Sequence, residues 1–213
     1  MKISLRKKFT SFITSIICIS SFSTVMPVSA ASDYDTYRLY FDVNKNSGIC
    51  VCNVSFSYND YNDVKSRSSI FKVGNLGDTL HIGGGPTFGV GYYKNDNGNI
   101  VDSGTLFTAT MGTKKYIWDT FTEFSMYLKD KDDNLLNSSL VKIDTVLVGD
   151  ANGDGFVNNS DVTAIYNYLT DSTVYPLNSF RSADTNNDGI VDFTDAVNIY
   201  NYLNGQLEGF YDL

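Results

Sequence analysis

Histidine is nearly absent from this chain, and tryptophan and cysteine are scarce: one, one and three residues among 213. A cysteine–histidine zinc site is excluded, because His81 stands alone. No Ser–His–Asp or metal-hydrolase arrangement can be assembled around it either, and His81 is read as structural. Glutamate is equally thin. Between residues 32 and 148 there are thirteen Asp but one Glu, Glu123, and almost every Asp sits in a turn-like, solvated context. Glycoside hydrolysis needs two opposed carboxyl groups, one of them kept protonated, so a small glycan-active enzyme is the least favoured reading. Bases are few: 16 Lys+Arg stand against 24 Asp+Glu. Four of those bases, Lys2, Arg6, Lys7 and Lys8, lie in the N-terminal leader described next, which leaves 12 against 24, a net charge of −12. A nucleic-acid partner is excluded on that count, since such proteins need a basic face to displace counterions.

Long apolar runs are also lacking, apart from one. Residues 1–30 combine the basic head with an apolar stretch from Phe9 to Phe22 and a small-residue end at Val28, Ser29 and Ala30. That is the layout of a secretory signal peptide. The stretch is shorter than the ~20 residues a membrane span needs, and no second stretch approaches that length. The expected mature protein is secreted, extracellular or part of a cell-surface complex, with no membrane segment. Cys18 leaves with the leader. Cys50 and Cys52 then share one face of a strand and are read as small buried hydrophobes; a strained local disulfide or a partner-facing thiol is the alternative.

What remains divides near Gly149. Before it, apolar residues recur with period two: Tyr37, Leu39, Phe41, Val43; Cys50 to Tyr58; Phe88, Val90, Tyr92; Phe107, Ala109, Met111; Phe124, Met126, Leu128; Val141 to Leu147. Each set predicts a strand with one buried face. Turn signals separate them at Asn44–Gly48, Gly83–Pro86, Asn95–Gly98 and Asp130–Asn134. Residues 32–147 are therefore expected to form a β-sandwich. No Pro/Ser/Thr linker follows it, so little swing between the modules is expected.

After Gly149 the chain repeats itself at an offset of 34. Asp150, Asn152, Asp154 and Gly155 return as Asp184, Asn186, Asp188 and Gly189, and Ile165-Tyr166-Asn167-Tyr168-Leu169 returns as Ile199-Tyr200-Asn201-Tyr202-Leu203. Such fidelity predicts two equivalent structural units. From Gly149 onward there are nine Asp and one Glu against a single base, Arg181. So many like charges imply either disorder or bound cations, and the regular apolar positions favour cations. Calcium takes about six to eight oxygen ligands, which a dozen-residue loop can supply. In the first loop these would be Asp150, Asn152, Asp154, the Phe156 carbonyl, Asn158 through water, and Asp161. In the second they would be Asp184, Asn186, Asp188, the Ile190 carbonyl, Asp192 and Asp195. Gly155 and Gly189 permit the sharp turn. Each loop feeds a helix whose apolar stripe is Val162, Ile165, Leu169 or Ala196, Ile199, Leu203.

The loops depart from an ordinary EF-hand: Asp rather than Glu closes each, and no helix is expected before either. In this, residues 149–210 resemble type I dockerins, small all-α modules of two loop–helix repeats. The resemblance implies two calcium ions and calcium-dependent binding to a cohesin module on a scaffolding protein. It also implies that the cohesin is read by Asn159, Ser160, Tyr166 and Asn167 in the first repeat and by Phe193, Thr194, Tyr200 and Asn201 in the second. The Ser-Thr pair common in clostridial members is absent at those positions. The shared helix sequence raises the prospect that either repeat engages the partner, in orientations about 180° apart.

The sandwich resembles the cohesin-like and carbohydrate-binding superfamily more loosely, through Tyr37–Tyr58, Gly104–Ala109 and Lys142–Val148. On the first resemblance it would be a non-catalytic adaptor in a cellulosome-type or amylosome-type assembly, receiving a dockerin-bearing protein. On the second it would bind polysaccharide through exposed rings, with Trp118, Tyr92 and Tyr93 as first candidates and Tyr58 and Tyr61 behind them.

Overall fold

The computed structural model describes residues 32–58, 60–65, 71–76, 79–85, 88–95 and 98–213. The leader and its expected cleavage point lie outside the described residues. Residues Ala31–Leu213 form one compact unit.

Among the described residues ten strands build the first part: β1 Asp35–Val43, β2 Val51–Tyr58, β3 Val64–Lys65, β4 Phe71–Val73, β5 Thr79–Gly85, β6 Phe88–Lys94, β7 Gly104–Thr113, β8 Phe121–Lys129, β9 Leu135–Leu136 and β10 Val141–Leu147. A single-turn helix, α1 (Ile117–Thr120), precedes β8. All pairings are antiparallel. One sheet runs β10-β1-β7-β3, with β4 also on β7, and the other runs β5-β6-β2-β8-β9. The period-two residues meet between them: Leu39, Phe41, Cys52, Val54, Phe107, Met111 and Leu128 form a fully buried core. Phe41 stacks on Phe107 with ring centroids 4.5 Å apart. Cys50 and Cys52 are both buried free thiols, and burial pushes the Cys52 thiol up to about 12, which makes it inert at neutral pH.

The fold departs from the sequence expectation at three points. The turn signal Gly83–Pro86 is in part strand: Gly83, Gly84 and Gly85 close β5, paired with Val90, Gly89 and Phe88 of β6, and Pro86 lies outside the described residues. Glycine is required along β6 because large rings occupy the space a side chain would take. A Cβ on Gly89 would lie 2.6 Å from the Phe56 ring, and one on Gly91 2.8 Å from the Phe71 ring. The second correction concerns β1, which buries both faces rather than one. Leu39, Phe41 and Val43 point into the sandwich, while Thr36, Arg38 and Tyr40 are covered on the other side by the helical part of the chain.

That helical part begins directly after β10. Helix α2 spans Asn159–Thr170 and α4 spans Phe193–Leu203; between them lies a single turn, α3 (Phe180–Ala183). The absence of any helix before the second loop was expected and is not found, for α3 runs straight into Asp184. Ser179 caps it, accepting from the Ser182 amide. Ile165 and Ile199, both fully buried, meet Val148, Ala151, Val191 and Ala196 in a second core that also takes in Tyr40 and Val146 from the sandwich. The chain end closes this junction. Phe210 packs on Tyr202 at 4.9 Å, and its amide donates to Thr36 Oγ1 at 3.1 Å.

Candidate functional site

The two acidic loops have nearly the same internal wiring. In the first, Asp150 accepts from the amides of Gly153, Asp154 and Gly155 at 2.8–3.0 Å. Asn152 accepts from the Asp154 amide, and Asp154 from the Phe156 amide. Asp161 reaches back across the loop to the amides of Asn152 (3.0 Å) and Asn158 (2.8 Å). In the second, Asp184 accepts from Asp188 and Gly189, Asn186 from Asp188, and Asp188 from Ile190. Asp195 accepts from the amides of Thr185 (2.8 Å) and Asp192 (2.9 Å). Gly155 and Gly189 adopt φ of +88° and +84°, a conformation that glycine reaches without the Cβ penalty.

Asp161 and Asp195 hold two posts at once. Each is the third residue of its helix and completes a capping box with Asn158 or Asp192, where the helix dipole also favours a negative charge. Each is also fully buried. Burial pushes both carboxyl groups above the usual range; the loop amides pull them down, and neighbouring acids, Asp150 and Asp154 or Asp184, push them up again. Among the described residues no ion pair reaches any loop carboxylate. Buried carboxylates in such company are held by a cation or are costly.

The donor set decides which cation fits. Among the described residues no three His, Cys, Asp or Glu side chains converge closely enough to hold an ion by themselves. A site here must also draw on amide and main-chain carbonyl oxygens. An all-oxygen set of that mixed kind suits a hard ion of calcium's size and not zinc. The side chains of Phe156 and Ile190, whose carbonyls fall at the seventh position, point to solvent.

The residues expected to meet a protein partner lie on the outer sides of α2 and α4. Asn159, Ser160 and Thr194 are exposed, and Tyr166, Asn167, Phe193, Tyr200 and Asn201 are half-buried. The residues expected to meet sugar are not brought together. Tyr93 is fully buried, its hydroxyl donating to the Leu76 carbonyl at 2.9 Å. Tyr58 is buried too, and the Tyr61 and His81 side chains lie outside the described residues. Trp118 packs edge-on against Phe121 and Phe124 and donates to Thr145 Oγ1 at 3.0 Å. Its ring serves the edge of the core. Tyr92 stands in register with Asn53 of β2 and is half-buried. The outer face of β2 and β8 carries small hydroxyls, with Ser55 on Ser125 at 2.7 Å and Ser57 on Thr122 at 3.2 Å, and one exposed ring, Tyr127, in register with Asn53.

Sequence reasoning missed one set of residues altogether, the joint between sandwich and helices. Arg181 grips Asp42 (2.6 and 3.0 Å) and Asp144 (2.8 Å) above the Tyr40 ring. Arg38 donates to the carbonyls of Asp184 and Thr185.

Fold and site together define an antiparallel β-sandwich fused to a duplicated, oxygen-lined loop–helix module. Residues 148–204 match the family model described as the dockerin type I domain, so the helical segment is dockerin-like in sequence as well as in form. No curated protein matches the chain. Among solved structures, the chain is similar to the non-cellulosomal cohesin from the hyperthermophilic archaeon Archaeoglobus fulgidus. The identity is 15%, over 49% of this chain and 74% of that one, with a TM-score of 0.34.

Proposed function

We propose that this protein is a secreted, non-catalytic component of a polysaccharide-degrading assembly, held there by its dockerin-like module. The observation that carries the reading is the coincidence of the family match over 148–204 with two buried carboxylates, Asp161 and Asp195, that have no ion-pairing Lys or Arg among the described residues. Asp150, Asn152, Asp154, Phe156, Asn158 and Asp161 would hold one calcium ion. Asp184, Asn186, Asp188, Ile190, Asp192 and Asp195 would hold a second. Bound calcium supplies positive charge that turns clustered carboxylates from a liability into folding energy. The protein's own contribution is to present α2 and α4 side by side, with Asn159, Ser160, Tyr166, Asn167, Phe193, Thr194, Tyr200 and Asn201 available to a cohesin module. The sandwich packs around α3 and the chain end, and of those eight residues Asn159, Ser160 and Thr194 are exposed and the other five half-buried.

For the sandwich, the adaptor reading is favoured over sugar binding. Two of the three foremost ring candidates serve the core or its edge, while the outer face of β2 and β8 is largely polar, with Asn53, Ser55, Ser57, Glu123 and Ser125 beside one exposed ring, Tyr127. A face made mostly of small polar side chains offers a glycan less stacking area than a row of rings would, which favours a protein partner. The test is calorimetry of the whole protein against a cohesin module from a scaffolding protein of the same secretome, in calcium and in excess EGTA. Tight binding in calcium that disappears in EGTA is expected. Binding of equal strength in both, or none in calcium, refutes the reading.

A further inference from the structure

The two loops match in sequence but not in surroundings. Arg38 is the largest fully buried side chain of the described residues, at 2% exposure. A guanidinium never loses its charge and carries five donors in a rigid fork. Among the described residues it has no carboxylate within ion-pairing distance. Its donors go to Asp184 O (2.7 Å), Thr185 O (2.8 Å), Thr110 Oγ1 (3.0 Å) and Tyr40 Oη (3.4 Å). The first two are the main-chain carbonyls of the second loop's opening residues. Lys72 donates to the carbonyl of Asn187 at 2.6 Å. Asn187 itself adopts φ of +57°, where the first loop has Gly153 at +74°, and its side chain donates to Thr108 Oγ1 and accepts from the Tyr40 hydroxyl. Three residues of the second loop's main chain are thus fixed by the sandwich, two of them by one cation and the third by another.

The first loop has no such seat. Its lead-in is the strand end itself, with Val148 N donating to Thr36 O. Its other braces are internal to the helical module: Gly149 N donates to Ser182 O at 2.7 Å, and the Asn178 side-chain amide donates to the Asn152 carbonyl. No Lys or Arg among the described residues donates to it. Yet it carries three carboxylates against the second loop's four. The larger charge therefore lies in the loop whose main chain the two sandwich cations hold.

We propose that Arg38, supported by Lys72, is a positioning residue that seats the second loop, so that the second repeat keeps its shape without calcium while the first depends on calcium for its own. This rests on the calcium reading above and refines it. A partner that reads α2 is then switched by calcium, whereas the α4 face stays presented in a fixed orientation to the sandwich.

Hydrogen exchange on the intact protein, in calcium and then in excess EGTA, tests this. In EGTA the amides of Asn152, Asp154, Gly155 and Asn158 should exchange at least about tenfold faster than in calcium, while those of Thr185, Asp188, Gly189 and Asp192 change much less. Arg38→Met keeps the stem but removes the fork; in EGTA its two loops should exchange alike, with the β2 and β8 amides unchanged. Arg38→Lys should restore only part of the difference, since one ammonium cannot span both carbonyls. If Arg38→Met does not fold, Lys72→Ala, at an exposed site, should show a smaller loss in the same direction. Equal loss of protection in both wild-type loops overturns the proposal and leaves the calcium reading standing. No change in either loop overturns both. A difference between the loops that survives Arg38→Met and Lys72→Ala also overturns it.

Discussion

Replacing Asp195 with alanine should cost the helical module about 3 kcal/mol in calcium and distinctly less in EGTA. The first number follows from what the carboxylate holds. It accepts from the amide and hydroxyl of Thr185, both at 2.8 Å, and from the Asp192 amide at 2.9 Å, and Thr185 is itself fully buried. Hydrogen bonds to a charged group contribute ~1.5–3 kcal/mol each, but they are not additive within one network. Loss of the capping box adds ~1 kcal/mol. Against this stands the burial that pushes the Asp195 carboxyl upward. Without a cation, removing the charge relieves part of that penalty, and with one it removes a ligand instead. The sign of the difference between conditions is therefore fixed. Urea unfolding followed at the helical circular-dichroism band, with Trp118 fluorescence as a separate probe of the sandwich, measures it. Against a total stability of ~5–15 kcal/mol the effect is large. Calorimetry should show one calcium site lost and the other kept, and Asp161→Ala should do the same to the first loop. An Asp195→Ala variant equally destabilised in calcium and EGTA would reduce the residue to a helix cap and refute the reasoning.

Arg181→Met should destabilise the joint by ~2 kcal/mol rather than the ~3–5 of a buried pair, because Arg181, Asp42 and Asp144 are 34%, 22% and 38% exposed. Much of that loss should vanish in an Asp42→Asn background, a coupling read by a double-mutant cycle. On the sandwich, Ser55→Arg with Ser125→Arg should abolish capture of a dockerin-bearing partner by the intact protein yet leave its own cohesin binding unchanged; retention of capture removes that face from the adaptor reading. Tyr202 is held neutral by burial and by the nearby Asp35 charge, its hydroxyl pushed up to about 12. Its contribution to stability should be complete below about pH 10 and lost as pH rises to about 12, a loss that Tyr202→Phe should lack in alkaline unfolding. Replacing Tyr166 and Asn167 by alanine should leave cohesin binding in calcium within about tenfold if either repeat can serve, and complete loss disposes of the two-orientation idea.

The loops were legible because their chemistry is local. Oxygen donors at fixed spacing, a glycine at the turn and a helical stripe all fall within twenty residues, and the 34-residue repeat states them twice. The strands were legible for a similar reason, since Leu39, Phe41 and Val43 alternate as any half-buried strand does. What lay hidden was set by distant partners. Arg38 and Asp42 read as solvated positions on a strand, and only contact with residues more than a hundred positions away shows otherwise. Glycines 83–85 carry a turn's composition, and the rings that force glycine on the neighbouring β6 come from β2 and β4. The single turn α3 is too short to leave a periodic trace.

Sequence identity between repeats does not make them energetically equal. Ile165–Leu169 and Ile199–Leu203 are the same five residues, but Tyr168 is only partly buried while Tyr202, its counterpart, is buried and donates to the Tyr34 carbonyl. The difference comes from β1 and the chain end, which cover one repeat and not the other. A duplicated module fused to a sandwich without a linker must lose its internal symmetry at the joint, because a single sheet face can seat only one of two related surfaces. Whatever the duplication offers to a partner through the open helix faces, its two halves reach that partner with different rigidity. That asymmetry belongs to the fusion and not to the repeat.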